Sequence, residues 1–148
     1  MDTELRHYGV KGMRWGVRRK LRKSDAFQKT RKDVKSSHRK YWKAETEYQD
    51  AIRKSGNDFE KKRPYNPNAS ESETLGWEVD RYTHVLNKSH AAKQQRDAAT
   101  RQYRQTLDNA AKQYGDMLVR DIKVSEKQRQ KIDRIIREEL RKDIWSED

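Results

Sequence analysis

The sequence predicts an all-α protein: three long helices, arranged as an elongated bundle or coiled coil, behind an irregular basic N-terminal arm. Apolar residues recur at helical spacing, and capping residues and helix breakers separate these stretches. Leu, Ile, Val and Phe make up only about 15% of the chain, whereas charged residues make up 41%. We therefore do not expect a large globular core. We expect thin helical seams that homo-oligomerisation or a partner completes.

The first helix is predicted over residues 25–54. Ser24 is a favourable N-cap, and Ser55 with Gly56 marks the expected end of the helix. Large side chains recur every seven residues, and a small residue stands three positions after each, which suits close approach of another helix. These residues are Phe27, Val34, Tyr41 and Tyr48, followed by Thr30, Ser37, Ala44 and Ala51. Residues 57–70 contain both prolines and are predicted to form a loop.

The second helix is predicted over residues 71–114, with Ser70 and Glu73 as a capping box and its end before Gly115. Its middle, residues 89–100, favours helix by propensity but offers little apolar surface, so a break there is the alternative. We expect its tyrosines, like those of the first helix, to be core residues. The apolar positions are Leu75, Val79, Tyr82 and Leu86, then Tyr103, Leu107, Ala110 and Tyr114.

The third helix is predicted over residues 126–145, after a segment, residues 117–124, whose apolar pattern fits either a helix or a strand. Ser125 and Gln128 have the spacing of a cap. Five residues form one apolar stripe: Ile132, Ile135, Ile136, Leu140 and Ile144. Trp77 and Trp145 are expected to close the ends of the bundle.

Residues 1–23 are predicted to be a docking arm, and residues 24–148 the helical body. Three of the six glycines lie in this arm, a density that opposes regular structure. Tyr8 and Trp15 fit no helical period, and an aromatic residue without a core of its own is typical of a binding anchor. The residues expected to dock to a partner are His7, Tyr8, Gly9, Gly12, Met13, Trp15 and Gly16.

The positive charge is concentrated at the N-terminal end. Residues 1–43 hold 15 Lys and Arg against four acidic residues, while the net formal charge of the whole chain is +12. Such a charged segment predicts contact with a polyanion: the phosphates of DNA or RNA, an acidic protein face or an anionic membrane. The alternative is a solvated run without a ligand. The expected polyanion-binding residues are Arg18, Arg19, Lys20, Arg22, Lys23, Arg31, Lys32, Lys35, Arg39 and Lys40.

Several classes of protein are not expected. The absence of cysteine excludes disulfide scaffolds and thiolate metal sites. No apolar run is long enough for a membrane span, and the first residues do not follow the order of a signal peptide. The four histidines lack the spacing of a helical metal site and are expected at the surface; no catalytic motif is found. We therefore expect no metal, no cofactor and no enzymatic activity.

Residues 7–19, His-Tyr-Gly-Val-Lys-Gly-Met-Arg-Trp-Gly-Val-Arg-Arg, closely resemble a short motif of tailed-phage and prophage proteins. Many of these proteins are head-morphogenesis or virion structural proteins whose remaining chains are unrelated to each other. A motif shared by unrelated chains resembles a docking signal, called an address below. It implies attachment to a common partner during particle assembly. The resemblance covers only these 13 residues.

The resemblance implies a phage structural or assembly protein, a minor head, internal or scaffold-like component that docks to the capsid, the portal or another virion protein. Its location would be the virion or the host cytoplasm. Two alternatives remain open at this point. One is a helical protein that binds nucleic acid without sequence specificity. The other is a phage inhibitor of a host defence complex, which the size and charge of the chain permit.

Overall fold

The computed structural model describes residues 10–146 of the protein, with side chains from Gly16 onward. This part of the chain is helical and contains no strand, which confirms the all-α class. There are four helices in it rather than the three expected. They are α1 (Val10–Arg22), α2 (Asp25–Lys62), α3 (Glu71–Val119) and α4 (Glu126–Leu140).

The described chain divides into two compact units. The first, the core unit, contains the residues up to Arg39 and those from Gln102 onward. The second, the hairpin unit, runs from Lys40 to Arg101. Both long helices, α2 and α3, contribute to each unit.

The prediction of an irregular arm is wrong for residues 10–22, which form α1. Two helical glycines, Gly12 and Gly16, each cost about 1 kcal/mol relative to alanine. Val17 and Leu21, one turn apart, are 3% and 0% exposed and lie in the core. Because burying one such side chain contributes about 1.5–3 kcal/mol, the two together outweigh the glycine penalty.

The buried apolar side chains all belong to the core unit. Phe27 and Val34 of α2, four residues of the α4 stripe and the last third of α3 meet α1 there. Tyr114 packs edge-on against Phe27 with ring centroids 5.0 Å apart, and its hydroxyl lies 3.0 Å from Thr30 Oγ1. The predicted stripe of the third helix is thus confirmed as core, and Ile144 packs against it from beyond the end of α4.

The predicted N-caps are confirmed. The backbone N–H groups of Phe27 and Glu73 donate to Ser24 Oγ and Ser70 Oγ, each at 3.2 Å. Ser125 and Gln128 form a complete capping box at the start of α4. The segment that could have been helix or strand continues α3 as far as Val119 and then turns.

Both predicted glycine ends are wrong, since α2 runs through Gly56 and α3 through Gly115. In each case an arginine from another helix lies across the glycine. A Cβ added at Gly56 would stand 2.5 Å from Arg81 Nη2, and one at Gly115 would stand 2.5 Å from Arg129 Nη2. These glycines therefore serve close packing and do not terminate a helix.

The hairpin unit is held by small and polar residues. Ser55 and Ser89 are buried at 5% and 2% exposure, and their hydroxyls donate to carbonyl groups of the preceding turn. Arg96 lies 4.7 Å from the Tyr48 ring centroid and 3.2 Å from Glu45 Oε2. Farther along, Arg81 Nε lies 3.0 Å from Glu60 Oε1.

The connection between α2 and α3 begins at residue 63, six residues later than expected. Trp77 Nε1 donates to the Arg63 carbonyl at 2.8 Å, and its ring lies against Phe59 and Tyr65. Trp77 thus closes the turn of the hairpin unit. α3 continues through its alanine-rich middle without the break that was the alternative, because helix propensity there is high.

The expectation that Leu75, Val79, Tyr82 and Leu86 are core is wrong. They are 61%, 54%, 65% and 42% exposed. The remaining tyrosines differ from one another: Tyr114 is buried, whereas Tyr41, Tyr48 and Tyr103 are only half-buried. A two-helix hairpin can cover one face of each helix, so the opposite apolar face of α3 is left outside.

Replacing Leu21 by alanine should lower the free energy of unfolding by about 2–4 kcal/mol, because it opens a cavity where α1 enters the core. Met117→Ala is the control, since Met117 also lies in the core unit but is 41% exposed; it should change stability by less than about 1 kcal/mol. Urea unfolding followed by circular dichroism measures both. Equal effects of the two substitutions would contradict the placement of α1 in the core.

Candidate functional site

The second half of the motif is attached to the body of the protein through a buried carboxylate. α1 packs against α4, and Glu139 is only 3% exposed. Its Oε1 lies 3.2 Å from Arg18 Nε and 3.3 Å from Arg22 Nη2, and Arg18 Nη2 lies 2.9 Å from Glu138 Oε2. A carboxylate at this depth needs compensating cations, and both arginines come from α1.

This arrangement divides the predicted polyanion-binding residues. Arg18 and Arg22 contact the acidic residues of α4. Four more are exposed: Arg19, Lys20, Lys23 and Lys40. The remaining four line the cleft described next: Arg31, Lys32, Lys35 and Arg39. Of the predicted docking residues, His7, Tyr8 and Gly9 lie outside the described residues. Gly12, Met13 and Trp15 belong to α1, and Gly16 is half-buried.

A basic cleft of about 670 Å³ lies within the core unit, between one face of α2 and the turns that follow α4. Residues 28–39 reach it because every third or fourth residue of a helix faces the same side. Five cations and one carboxylate line it. The lining consists of Gln28, Arg31, Lys32, Lys35, Ser36 and Arg39 from α2, with Lys142 and Asp143 from the turns.

The cations of α2 hold the C-terminal turns in place. Arg31 Nη2 donates to the Lys142 carbonyl at 3.2 Å, and Arg39 Nη2 donates to the Ser146 carbonyl at 3.2 Å. Lys35 Nζ donates to Ser146 Oγ at 2.8 Å. These bonds place three cations of α2 along the cleft, next to Lys32 and Lys142.

The hydrogen bonds from Arg31, Lys35 and Arg39 also explain why the predicted third helix ends before its expected boundary. It was expected to reach residue 145, but α4 ends at Leu140 and Asp143 adopts a left-handed conformation with φ of 59°. Asp tolerates this region better than most residues. The Asp143 carbonyl accepts hydrogen bonds from the Ser146 backbone at 3.0 Å and from its hydroxyl at 2.7 Å. The chain therefore turns back toward α2 instead of continuing as a helix.

His38 lies on α2 next to Arg39, one of the cleft cations. The expectation that His38 is a surface residue is wrong. It is 7% exposed, with its ring centroid 4.6 Å from that of Trp145 and 5.2 Å from that of Tyr103. Burial lowers the pKa of His38 from its ordinary value of 6.5, because it disfavours the charged imidazolium. Trp145 therefore packs its ring on His38, where it helps to close this end of the core unit.

Sequence reasoning found four of the five cleft cations but missed Lys142, Asp143 and the role of Glu139. Lys142 and Asp143 were assigned to a continuous helix, and a helix cannot direct their backbone toward α2. Glu139 stands in a run of charged residues, but it follows Ile132 by seven residues and Ile136 by three, so helical spacing places it on the apolar stripe. That signal was overlooked, and only the contacts with the two arginines of α1 show how the carboxylate is compensated.

Two other kinds of site are absent from residues 10–146. No group of three His, Asp or Glu side chains within this range could hold a metal ion. None of the four described helices combines the length and the apolar character that a membrane crossing requires.

Comparison with known protein families gives a match at the N-terminal end of the chain. Residues 1–21 match a family described as a family of unknown function (DUF7211). The matched residues contain the motif of residues 7–19 and end within α1. No curated protein and no solved structure matches the chain.

The stability of the protein should fall as the pH is lowered from 7 toward the depressed pKa of His38. The unfolded chain takes up a proton near pH 6.5, whereas the folded chain holds His38 neutral to a lower pH. His38→Phe should remove this component of the pH dependence, and His90→Gln, at an exposed position of α3, should retain it. Urea unfolding between pH 7.5 and 5 tests this, and identical pH profiles of all three proteins would contradict it.

Proposed function

We propose that this chain is a structural or assembly protein of a tailed phage, a minor head, internal or scaffold-like component. In this proposal residues 7–15 dock to the capsid, the portal or another virion protein. The chain would act in the virion or in the host cytoplasm, and this role needs neither an enzymatic activity nor a cofactor.

One observation carries the proposal: the end of the motif and the three residues after it join the motif to the core. Val17 and Leu21 are buried, and Arg18 and Arg22 contact Glu139. The residues before them therefore start from a helix that is fixed to the body, which lowers the conformational entropy lost on docking. The match of residues 1–21 to a family also supports treating this segment as a separate address.

The basic charge of the chain favours an internal or minor virion component over a scaffolding protein. A net formal charge of +12 is compatible with packaged DNA nearby. Scaffolding proteins, by general resemblance, are commonly acidic. We therefore place an internal position first among the particle roles.

Trp15→Ala should lower incorporation of the protein into phage particles at least tenfold, because a tryptophan anchor commonly contributes 2 kcal/mol or more to binding. The particles are made in cells that produce the capsid and portal proteins encoded with this chain, then purified on a gradient. Trp42→Ala is the matched control, since Trp42 is 49% exposed in the hairpin unit. Circular dichroism checks that both variants keep their helicity. Wild-type incorporation of Trp15→Ala would overturn the address role.

The basic cleft favours a second role, binding of DNA or RNA phosphates without sequence specificity. Four of its cations follow one face of α2 and a fifth, Lys142, stands across from them. Such a row of cations suits a phosphate backbone, and no base-reading motif is present in the sequence. This role is compatible with an internal virion protein. No described feature favours inhibition of a host defence complex, which stays a prediction from size and charge.

Lys32→Gln with Lys142→Gln should weaken duplex DNA binding and reduce its salt dependence. Neither side chain is one of those that hold the C-terminal turns, so the fold should persist. Loss of two phosphate contacts lowers the slope of log K against log salt by about 1.8. Lys61→Gln with Lys62→Gln, two exposed positions at the end of α2, is the charge-matched control. Fluorescence anisotropy with labelled DNA gives both slopes, and equal slopes for the two variants would exclude the cleft as the binding site.

A further inference from the structure

An apolar stripe runs along the exposed face of α3 in the hairpin unit. Its members are spaced by four, three and four residues, so they share one side of the helix. More than half of Leu75, Val79 and Tyr82 and two fifths of Leu86 are open to solvent. These four residues are called the α3 stripe below.

The α3 stripe is as large as the apolar patches that often serve as contact surfaces. At these exposures it offers on the order of 400 Å² of mostly apolar area, comparable with the largest patch on a typical monomer, which is often functional. α2 contacts α3 through Trp77, Arg81 and His84, which lie on a different side of α3 from the stripe. The stripe is therefore a candidate contact surface.

Charges at the two ends of the stripe indicate which partner fits. Glu71 lies one turn before Leu75, and Lys93 lies two turns after Leu86, both exposed and on the same side of α3. One end of the stripe is thus acidic and the other basic. Tyr82 stands midway between them in the sequence.

We propose that a second copy of this chain covers the α3 stripe, with the two α3 helices antiparallel and a two-fold axis beside Tyr82. In this register Glu71 of each copy faces Lys93 of the other. A parallel pair would instead set Glu71 against Glu71 and Lys93 against Lys93. Like charges in these places disfavour the parallel arrangement.

The antiparallel register also suits the apolar side chains. Leu86 of one copy lies opposite the turn formed by Leu75, Val79 and Tyr82 of the other, as a knob does in a hole. The four stripe residues of two copies bury at most about 800 Å² together, less than the roughly 1,200 Å² of a small specific complex. We therefore expect a weak, reversible dimer.

The surface is tested by sedimentation equilibrium of the full-length protein. The wild type should pass from monomer to dimer with rising concentration. Tyr82→Lys should raise the dissociation constant more than tenfold, because it places two ammonium groups at the axis. Asn87→Lys, exposed on a different side of α3, is the control and should leave the dissociation constant within about threefold.

The register is tested by exchanging charges. Glu71→Lys and Lys93→Glu should each weaken the dimer, by about three- to tenfold at low salt, because each places like charges together. An equal mixture of the two variants should form a heterodimer about as tight as the wild-type dimer, since opposite charges then meet at both ends of the stripe. The single variants distinguish the arrangements: in a parallel dimer like charges meet in the wild type and in both variants, so neither substitution alone would weaken it.

Three results would overturn the proposal. They are a monomeric wild type at 200 μM, a dimer that Tyr82→Lys leaves intact, and single charge variants that dimerise as tightly as the wild type. The first would assign the stripe to another protein, the second would indicate a different dimer interface and the third a different register. The dimer does not depend on the proposed phage role, since it is measured on the purified chain.

Discussion

The small number of apolar side chains is the constraint on which the rest of this structure depends. With Leu, Ile, Val and Phe at about 15% of the chain, a single compact core can be filled, and it lies in the core unit. Four helical segments share that core, and α1 contributes Val17 and Leu21 to it. The motif-bearing segment is therefore part of the fold as well as a candidate address.

The two helices of the hairpin unit are held together without a comparable apolar core. Buried serines bring the helices close, and arginines cross between them to reach Glu45 and Glu60. Exposed ion pairs contribute only about 0–1 kcal/mol each, so this unit gains less from folding than the core unit does. The unused apolar face of α3 follows from the same shortage, because two helices cannot enclose both faces of either one.

Charge has two separate uses in the core unit. The arginines of α1 neutralise the buried Glu139, and the cations of α2 both fasten the C-terminal turns and line a cleft. A basic residue in such a sequence is therefore not interchangeable with its neighbours. Arg18 and Arg22 maintain the position of α1, whereas Lys32 and Lys142 can change without loosening a turn.

The sequence by itself determined the all-α class, the caps at Ser24, Ser70 and Ser125, and the core stripe of α4, because these depend on local spacing and local hydrogen bonds. It also located four cations of the cleft. Only the tertiary structure decided that Gly56 and Gly115 lie inside helices, that Glu139 is buried and that residues 10–22 are helical. Each of these depends on side chains distant in sequence: Arg81 and Arg129 cross the glycines, and the contact between α1 and α4 offsets the helix penalty of the motif's glycines.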